Sequence, residues 1–275
     1  MADFYEFAFS ALEGLLFGDF CAILVASLES EDKGMKKDYK LIAFDLDGTL
    51  TQHRTKLEAT NRAVLEKLAK KHHLIMIGAG ACMRIFGQMN EFPIDIIGNY
   101  GMQVSRYNPE TKQPEIISDA HIEVDRERTV KVCNELREKY GFTEYAGEGV
   151  EFHASGMITF PLIGTKAKIE DKLAFDPDRS RRKVLYEDVK AAFPNCTVFI
   201  GGSSSFDIAP FPYNKLYALD QYCAENGITH ADILYCGDDY GVGGNDEQVY
   251  RSDIDFVKVD DYRKLGEYLA PLLED

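Results

Sequence analysis

Short apolar runs alternate with amphipathic stretches along most of the chain. KLIAFDL, starting at Lys40, is apolar and stops at Asp47-Gly48-Thr49. Over roughly 57–71, Leu57, Val64, Leu65 and Leu68 recur at helical spacing with Lys and Glu residues between them. That pattern predicts a helix with one buried side. HLIMIG reads as a second short strand and runs into the glycine-rich Gly78-Ala79-Gly80; a further helix and the strand IDIIGN complete a β-α-β-α-β run. Strands and helices alternating in this way predict an α/β fold, a Rossmann-like doubly wound parallel sheet.

The pattern changes at about residue 101. From there to 210 the segments HIEVD, GMITFPLI, TVFIGG and SSFDIAP are shorter and partly alternating, with polar helices such as TVKVCNELREKY between them. They predict a separate α+β domain. After Lys215 the first pattern returns as helix KLYALDQYCAEN, strands DILYCGDD and DFVKV, and a final helix through LGEYLAPLL. The expected organisation is therefore one core, 35–100 and 211–275, split by an inserted cap over 101–210. Residues 1–34 carry no Lys or Arg before Lys33, so they lack the basic start of a signal peptide. They read as a dispensable extension, with AFSALEGLLF as a candidate amphipathic helix and Met35 opening the α/β domain.

Composition narrows the function classes. The chain is 45% hydrophobic and 28% charged, with a formal net charge of −15. That charge argues against nucleic-acid partners, which need a basic face. It also means that an anionic substrate must find local positive charge in its site. Six widely spaced cysteines, Cys21, Cys82, Cys133, Cys196, Cys223 and Cys236, form no CxxC or Cys/His metal pattern. They read as small packing residues in a reducing, cytoplasmic compartment. No apolar stretch is long enough to cross a bilayer uncharged, so no membrane partner is expected.

Open α/β sheets bind ligands at the carboxyl ends of their strands. Three polar clusters sit at such ends: Asp45-Leu46-Asp47-Gly48-Thr49, Gly78-Ala79-Gly80 and Gly237-Asp238-Asp239, with Lys215 opening a helix at the same edge. Asp45 and Asp47, two apart, are expected on one face. With Asp238 they would repel by roughly 4 kcal/mol per pair at an effective dielectric near 20. A hard, oxygen-bound cation relieves this, which points to Mg²⁺ on Asp45, Asp47 and Asp238. Asp45 then serves as a carboxylate nucleophile, forming an aspartyl-phosphate, and Asp47 as general acid and base. Lys215 and the backbone N–H groups of Gly78, Ala79 and Gly80 would hold the transferring oxygens, while Asn245 and Asp246 support the metal or Lys215. His53 reads as a surface-loop histidine.

FDLDGTLT, a distant lysine and GDDYGVGGND resemble the haloacid-dehalogenase-like superfamily, in its branch with a large inserted cap. IGGSSSFDIAPFPYNK, GDDYGVGGNDEQVY and EFHASGMITFPLIG are most similar to eukaryotic-type phosphomannomutases. The resemblance implies the same roles for Asp45, Asp47, Lys215 and Asp238, sugar contacts for Ser205 and Asp207, and a homodimer formed through the cap. The chain departs from that pattern in two places. The second motif's Ser or Thr is replaced in Gly78-Ala79-Gly80, a lost hydrogen bond of about 1–3 kcal/mol. Cap arginines that hold a second phosphate are replaced by Ala146, His153 and Thr165. Lys166 and Lys168 lie nearby but read as solvated charges, and lysine is no bidentate substitute. A mutase must hold a bisphosphate at both ends, whereas a phosphatase holds one phosphate and admits water. The sequence alone therefore favours Mg²⁺-dependent hydrolysis of a small phosphorylated metabolite, best pictured as a sugar phosphate. A phosphohexomutase is the alternative, and a non-catalytic sugar-phosphate binder a third reading.

Overall fold

The structure is a computed structural model that describes Met35 and residues 38–274. The extension expected over 1–34, with Cys21, lies outside the described residues. The chain proceeds through β1 (Leu41–Phe44), α1 (Ala59–Leu68), β2 (His73–Ile77), α2 (Cys82–Gln88), β3 (Asp95–Gly98), β4 (Gln103–Asn108) and β5 (Gln113–Asp119). Then come α3 (Arg126–Tyr140), β6 (Glu151–Phe152), β7 (Ile158–Pro161), α4 (Ile169–Phe175), α5 (Ser180–Ala192), β8 (Cys196–Phe199) and β9 (Ser205–Pro210). It closes with α6 (Lys215–Asn226), β10 (Ile233–Gly237), α7 (Glu247–Tyr250), β11 (Asp255–Lys258), α8 (Leu265–Tyr268) and α9 (Ala270–Leu273).

A seven-stranded sheet has the order β11-β10-β1-β2-β3-β4-β5. Its first five strands are parallel, and β4 and β5 extend it antiparallel. Every residue of β1 and β10 is buried, as the unbroken apolar runs require of central parallel strands. Leu41, Ala43, Ile75, Ile77 and Tyr235 pack with Ala218 and Leu219 of α6. Each large aliphatic side chain so buried contributes roughly 1.5–3 kcal/mol.

A second sheet, antiparallel in the order β6-β7-β9-β8, forms the cap with α3, α4 and α5. Ile158, Phe160, Phe206 and Ile208 face Leu185 and Val189 of α5. The opposite face meets the core where Tyr100 stacks on Phe199, their ring centroids 4.5 Å apart, beside Met102, Met157 and Ala209.

Three expectations need correction. The first sheet continues through β5 to Asp119, so the boundary expected at residue 101 falls between two strands of one sheet. HIEVD is not a strand: Asp125 caps α3 by accepting a hydrogen bond from the Arg128 amide at 3.0 Å. The final helix breaks into α8 and α9, because Pro271 lacks an N–H and cannot continue the ladder. The five described cysteines carry free thiols. Among the described residues no helix is long and apolar enough to cross a membrane.

Candidate active site

Strand register assembles the site. Phe44 pairs with Cys236 on one side and with Met76 on the other. The residues just beyond these strands, Asp45, Asp238 and Gly78, therefore emerge side by side at the carboxyl edge. The Asp45 amide continues the ladder by donating to the Cys236 carbonyl at 2.9 Å. Gly48 has φ +109°, and a Cβ there would lie 2.3 Å from Asp238 Oδ2, so both backbone and space demand glycine.

Lys215 begins α6, whose Asn214 cap accepts from the Tyr217 amide at 2.8 Å. Its side chain is wholly buried. Nζ donates to Asp45 Oδ1 at 2.5 Å, Asn245 Oδ1 at 2.7 Å and Asp246 Oδ1 at 2.7 Å. All three ammonium protons are thus engaged. Burial alone would lower the Lys215 pKa, but Asp246 and Asp45 outweigh it and hold the group protonated. Asp45 is pushed well above the usual carboxylate range, chiefly by burial; Asp246 and Asp238 add to that and Lys215 opposes it. Asp238, which accepts from Thr49 Oγ1 at 3.0 Å, rises to about 7 through burial and the charges of Asp246 and Asp239.

These groups fit an oxygen-coordinated divalent cation. Carboxylate oxygens of Asp45, Asp238 and Asp246 all lie within 4.8 Å of one another. A cation there would remove the repulsion that raises Asp45 and Asp238. Asp246 is the poorest ligand of the three. Its Oδ1 takes Lys215 and the Tyr235 hydroxyl, at 2.6 Å, and its Oδ2 takes the Asp239 amide at 3.0 Å. It anchors Lys215.

Asp47, expected as the third carboxylate of the metal set, lies outside this cluster. β1 ends at Phe44, so strand alternation no longer governs the direction of Asp47. Its Oδ1 accepts from the Arg54 amide at 2.8 Å and Gln88 Nε2 at 2.6 Å. Both bonds fall on one oxygen, Oδ1. Of the glycine-rich turn, the Gly78 amide is engaged with the Ile97 carbonyl at 3.0 Å. It cannot also bind a phosphate, so only the Ala79 and Gly80 amides remain for that role.

On the cap, Asp207 meets the core. It accepts from Thr159 Oγ1 and from the Tyr100 hydroxyl, each at 3.2 Å, and burial raises its pKa. His153 Nε2 lies 3.0 Å from Thr159 Oγ1, extending the chain of contacts. Ser205 is turned into its own loop, donating to the Gly201 carbonyl at 3.1 Å. Lys166 and Lys168 are exposed. His53 is exposed too, and lines a cavity of about 620 Å³ that opens onto Asp238.

Sequence reasoning missed Arg179, whose guanidinium leaves the cap to pair with Asp239 beside the acidic cluster. It also missed Ile200, whose amide donates to the Gly243 carbonyl at 2.8 Å. Only the run of polar residues in GDDYGVGGND hinted that this loop has partners on two sides.

Comparison with known proteins supplies the family. A model described as eukaryotic phosphomannomutase matches residues 62–260. The Saccharomyces cerevisiae phosphomannomutase is 29% identical over 225 residues, covering 78% of this chain and 86% of that protein. The Encephalitozoon cuniculi phosphomannomutase is 28% identical over 254 residues, covering 86% and 97%. Among solved structures, a subclass IIB sugar phosphatase of the haloacid-dehalogenase-like superfamily aligns with TM-score 0.52 and 17% identity, over 80% of this chain and 86% of that one. A truncated Plasmodium falciparum IMP-nucleotidase aligns with TM-score 0.57 and 16% identity, over 85% and 71%. At such identities these two structures speak for the shared fold alone.

Proposed function

This chain belongs to the eukaryotic phosphomannomutase family, and from that membership we propose that it moves a phosphoryl group between positions of a phosphorylated hexose through Asp45. The family match over 62–260, with relatives named phosphomannomutases, carries this reading. It reverses the preference for hydrolysis drawn from the sequence alone.

Asp45 attacks phosphorus in line through the carboxylate oxygen that Lys215 does not hold. The aspartyl O–P bond forms as the P–O bond to the sugar breaks, and Asp47 gives its Oδ2 proton to the departing oxygen. In the second half a sugar hydroxyl attacks the same phosphorus, Asp47 takes its proton, and Asp45 is regenerated. Lys215 stays protonated throughout and fixes the direction of Asp45. Mg²⁺ held by Asp45 and Asp238 would supply charge neutralisation at the transferring oxygens. The Asp207 carboxylate, tied to Thr159 and Tyr100 where the cap meets the core, would bind sugar hydroxyls.

Hydrolysis is the second reading, favoured by Ala146, His153 and Thr165, which leave those cap positions without a guanidinium. One assay separates the two. Hexose 1-phosphates are supplied with Mg²⁺ and catalytic bisphosphate, and both 6-phosphate and inorganic phosphate are followed. Isomerisation outpacing phosphate release supports the mutase. Phosphate release without isomerisation, abolished by Asp45→Asn, would establish a phosphatase instead.

A further inference from the structure

We propose that Arg84 grips the transferring phosphoryl group across Gly80, its guanidinium taking the place of the missing second-motif hydroxyl. This rests on the reading that the phosphoryl group sits over Asp45.

The first observation is steric. A Cβ built on Gly80 would lie 2.1 Å from Arg84 Nη2, 2.3 Å from Nε and 2.5 Å from Cζ. Gly80 is not among the positive-φ glycines, so its backbone would accept a serine. What such a Cβ would meet is the far end of a flexible, exposed side chain, so a serine here would displace the guanidinium. The guanidinium occupies the volume that a serine side chain would fill.

The second observation concerns charge. The site must bind a phosphate in a protein of net charge −15, yet Lys215 has its three protons engaged by Asp45, Asn245 and Asp246. Arg84 is differently held. Nη1 donates to a neutral amide oxygen, Gln88 Oε1, at 3.1 Å, and no ion pair of Arg84 occurs among the described residues. Nε and Nη2, the two nitrogens closest to Gly80, form the planar fork that fits two phosphate oxygens.

The third observation is positional. Gln88 is buried, and its Nε2 donates to Asp47 Oδ1 at 2.6 Å and Thr51 Oγ1 at 3.2 Å. Its Oε1 is thereby presented to Arg84 in a fixed direction. Arg84 is thus tethered through one side chain to the residue assigned as acid and base, and overhangs the turn that follows β2.

Kinetics and inhibition by inorganic phosphate, with Mg²⁺ present, are measured for Arg84→Ala, Arg84→Lys, Gly80→Ser and the Gly80→Ser/Arg84→Ala pair. Arg84→Ala is expected to lower kcat/KM and to weaken phosphate inhibition, each by about tenfold to a hundredfold, with an unchanged melting temperature. Arg84→Lys restores part of both. Gly80→Ser lowers activity beside Arg84 by displacing the guanidinium, but raises it in the Arg84→Ala background by returning a hydroxyl. That reversal of sign is not expected of a merely structural arginine. Unaltered phosphate inhibition in Arg84→Ala, or one and the same effect of Gly80→Ser in both backgrounds, overturns the proposal. Asp45→Asn is assayed alongside: if it is inert while Arg84→Ala is unaffected, Arg84 alone is refuted. If Asp45→Asn turns over normally, the underlying reading falls as well.

Discussion

The core and the cap both bury polar groups at their meeting face, but they satisfy them in different ways. In the core, formal charges face one another: Lys215 is enclosed by Asp45, Asp246 and Asn245, and Asp238 stands beside them. On the cap face, Asp207 rests on two hydroxyls, with His153 beyond them. The cap has guanidinium groups, but two of them build the cap itself. Arg137 lies against the Gly149 and Pro161 carbonyls and the rings of Tyr145 and Phe160. Arg182 holds Asp176 and the carbonyls of Gly201, Gly202 and Ser205. Formal charges are held rigidly in the core, whereas on the cap hydroxyls surround a single carboxylate.

Breaking the core's balance should have the largest effect. Lys215→Met leaves two buried carboxylates uncompensated. It is expected to abolish turnover and to cost about 3–5 kcal/mol of stability, read from urea unfolding. The cap should respond through affinity. Asp207→Asn is expected to raise the KM of a sugar phosphate about tenfold, the worth of one or two hydrogen bonds, while kcat changes little. If instead kcat falls and KM holds, the division of labour between the regions is wrong. Weaker still is the bridge between them. Arg179→Gln removes the pair with Asp239, and kcat/KM should fall a few-fold with a stability change of about 1 kcal/mol or less.

The smallest effect lies in the core away from its meeting face with the cap and serves as a control. Burial alone would lower the pKa of His230, but the carboxylates of Asp253 and Asp220 outweigh it and raise it above 6.5. The folded state thus binds this proton more tightly than the unfolded chain. The stabilisation is complete below pH 6.5 and is lost as pH rises through the raised value. Thermal melts across that interval should show a shallow decline that His230→Gln removes.

The two regions also differ in how much of them the sequence reveals. The core's strands, Asp45, Lys215 and the loop at 237–246 were legible because parallel strands read as unbroken apolar runs and place their next residues at one edge. Asp47 was placed in the metal set because the alternation rule was carried past Phe44, where the strand ends. The cap boundary was misplaced because β4 and β5 read like cap strands, while β4 pairs with β3 and β5 with β4. Arg84 and Arg179 left no local signal. Each is defined by a partner, Gly80 or Asp239, that only the folded chain brings near it.

The account's central claim is that Asp45 carries the phosphoryl group. Rapid acid quench of the Mg²⁺-loaded protein during turnover, followed by peptide mass analysis, tests it directly. The account predicts one added phosphoryl mass on the peptide holding Asp45, absent in Asp45→Asn. A phosphoryl group on another residue, or steady turnover by Asp45→Asn, would contradict it.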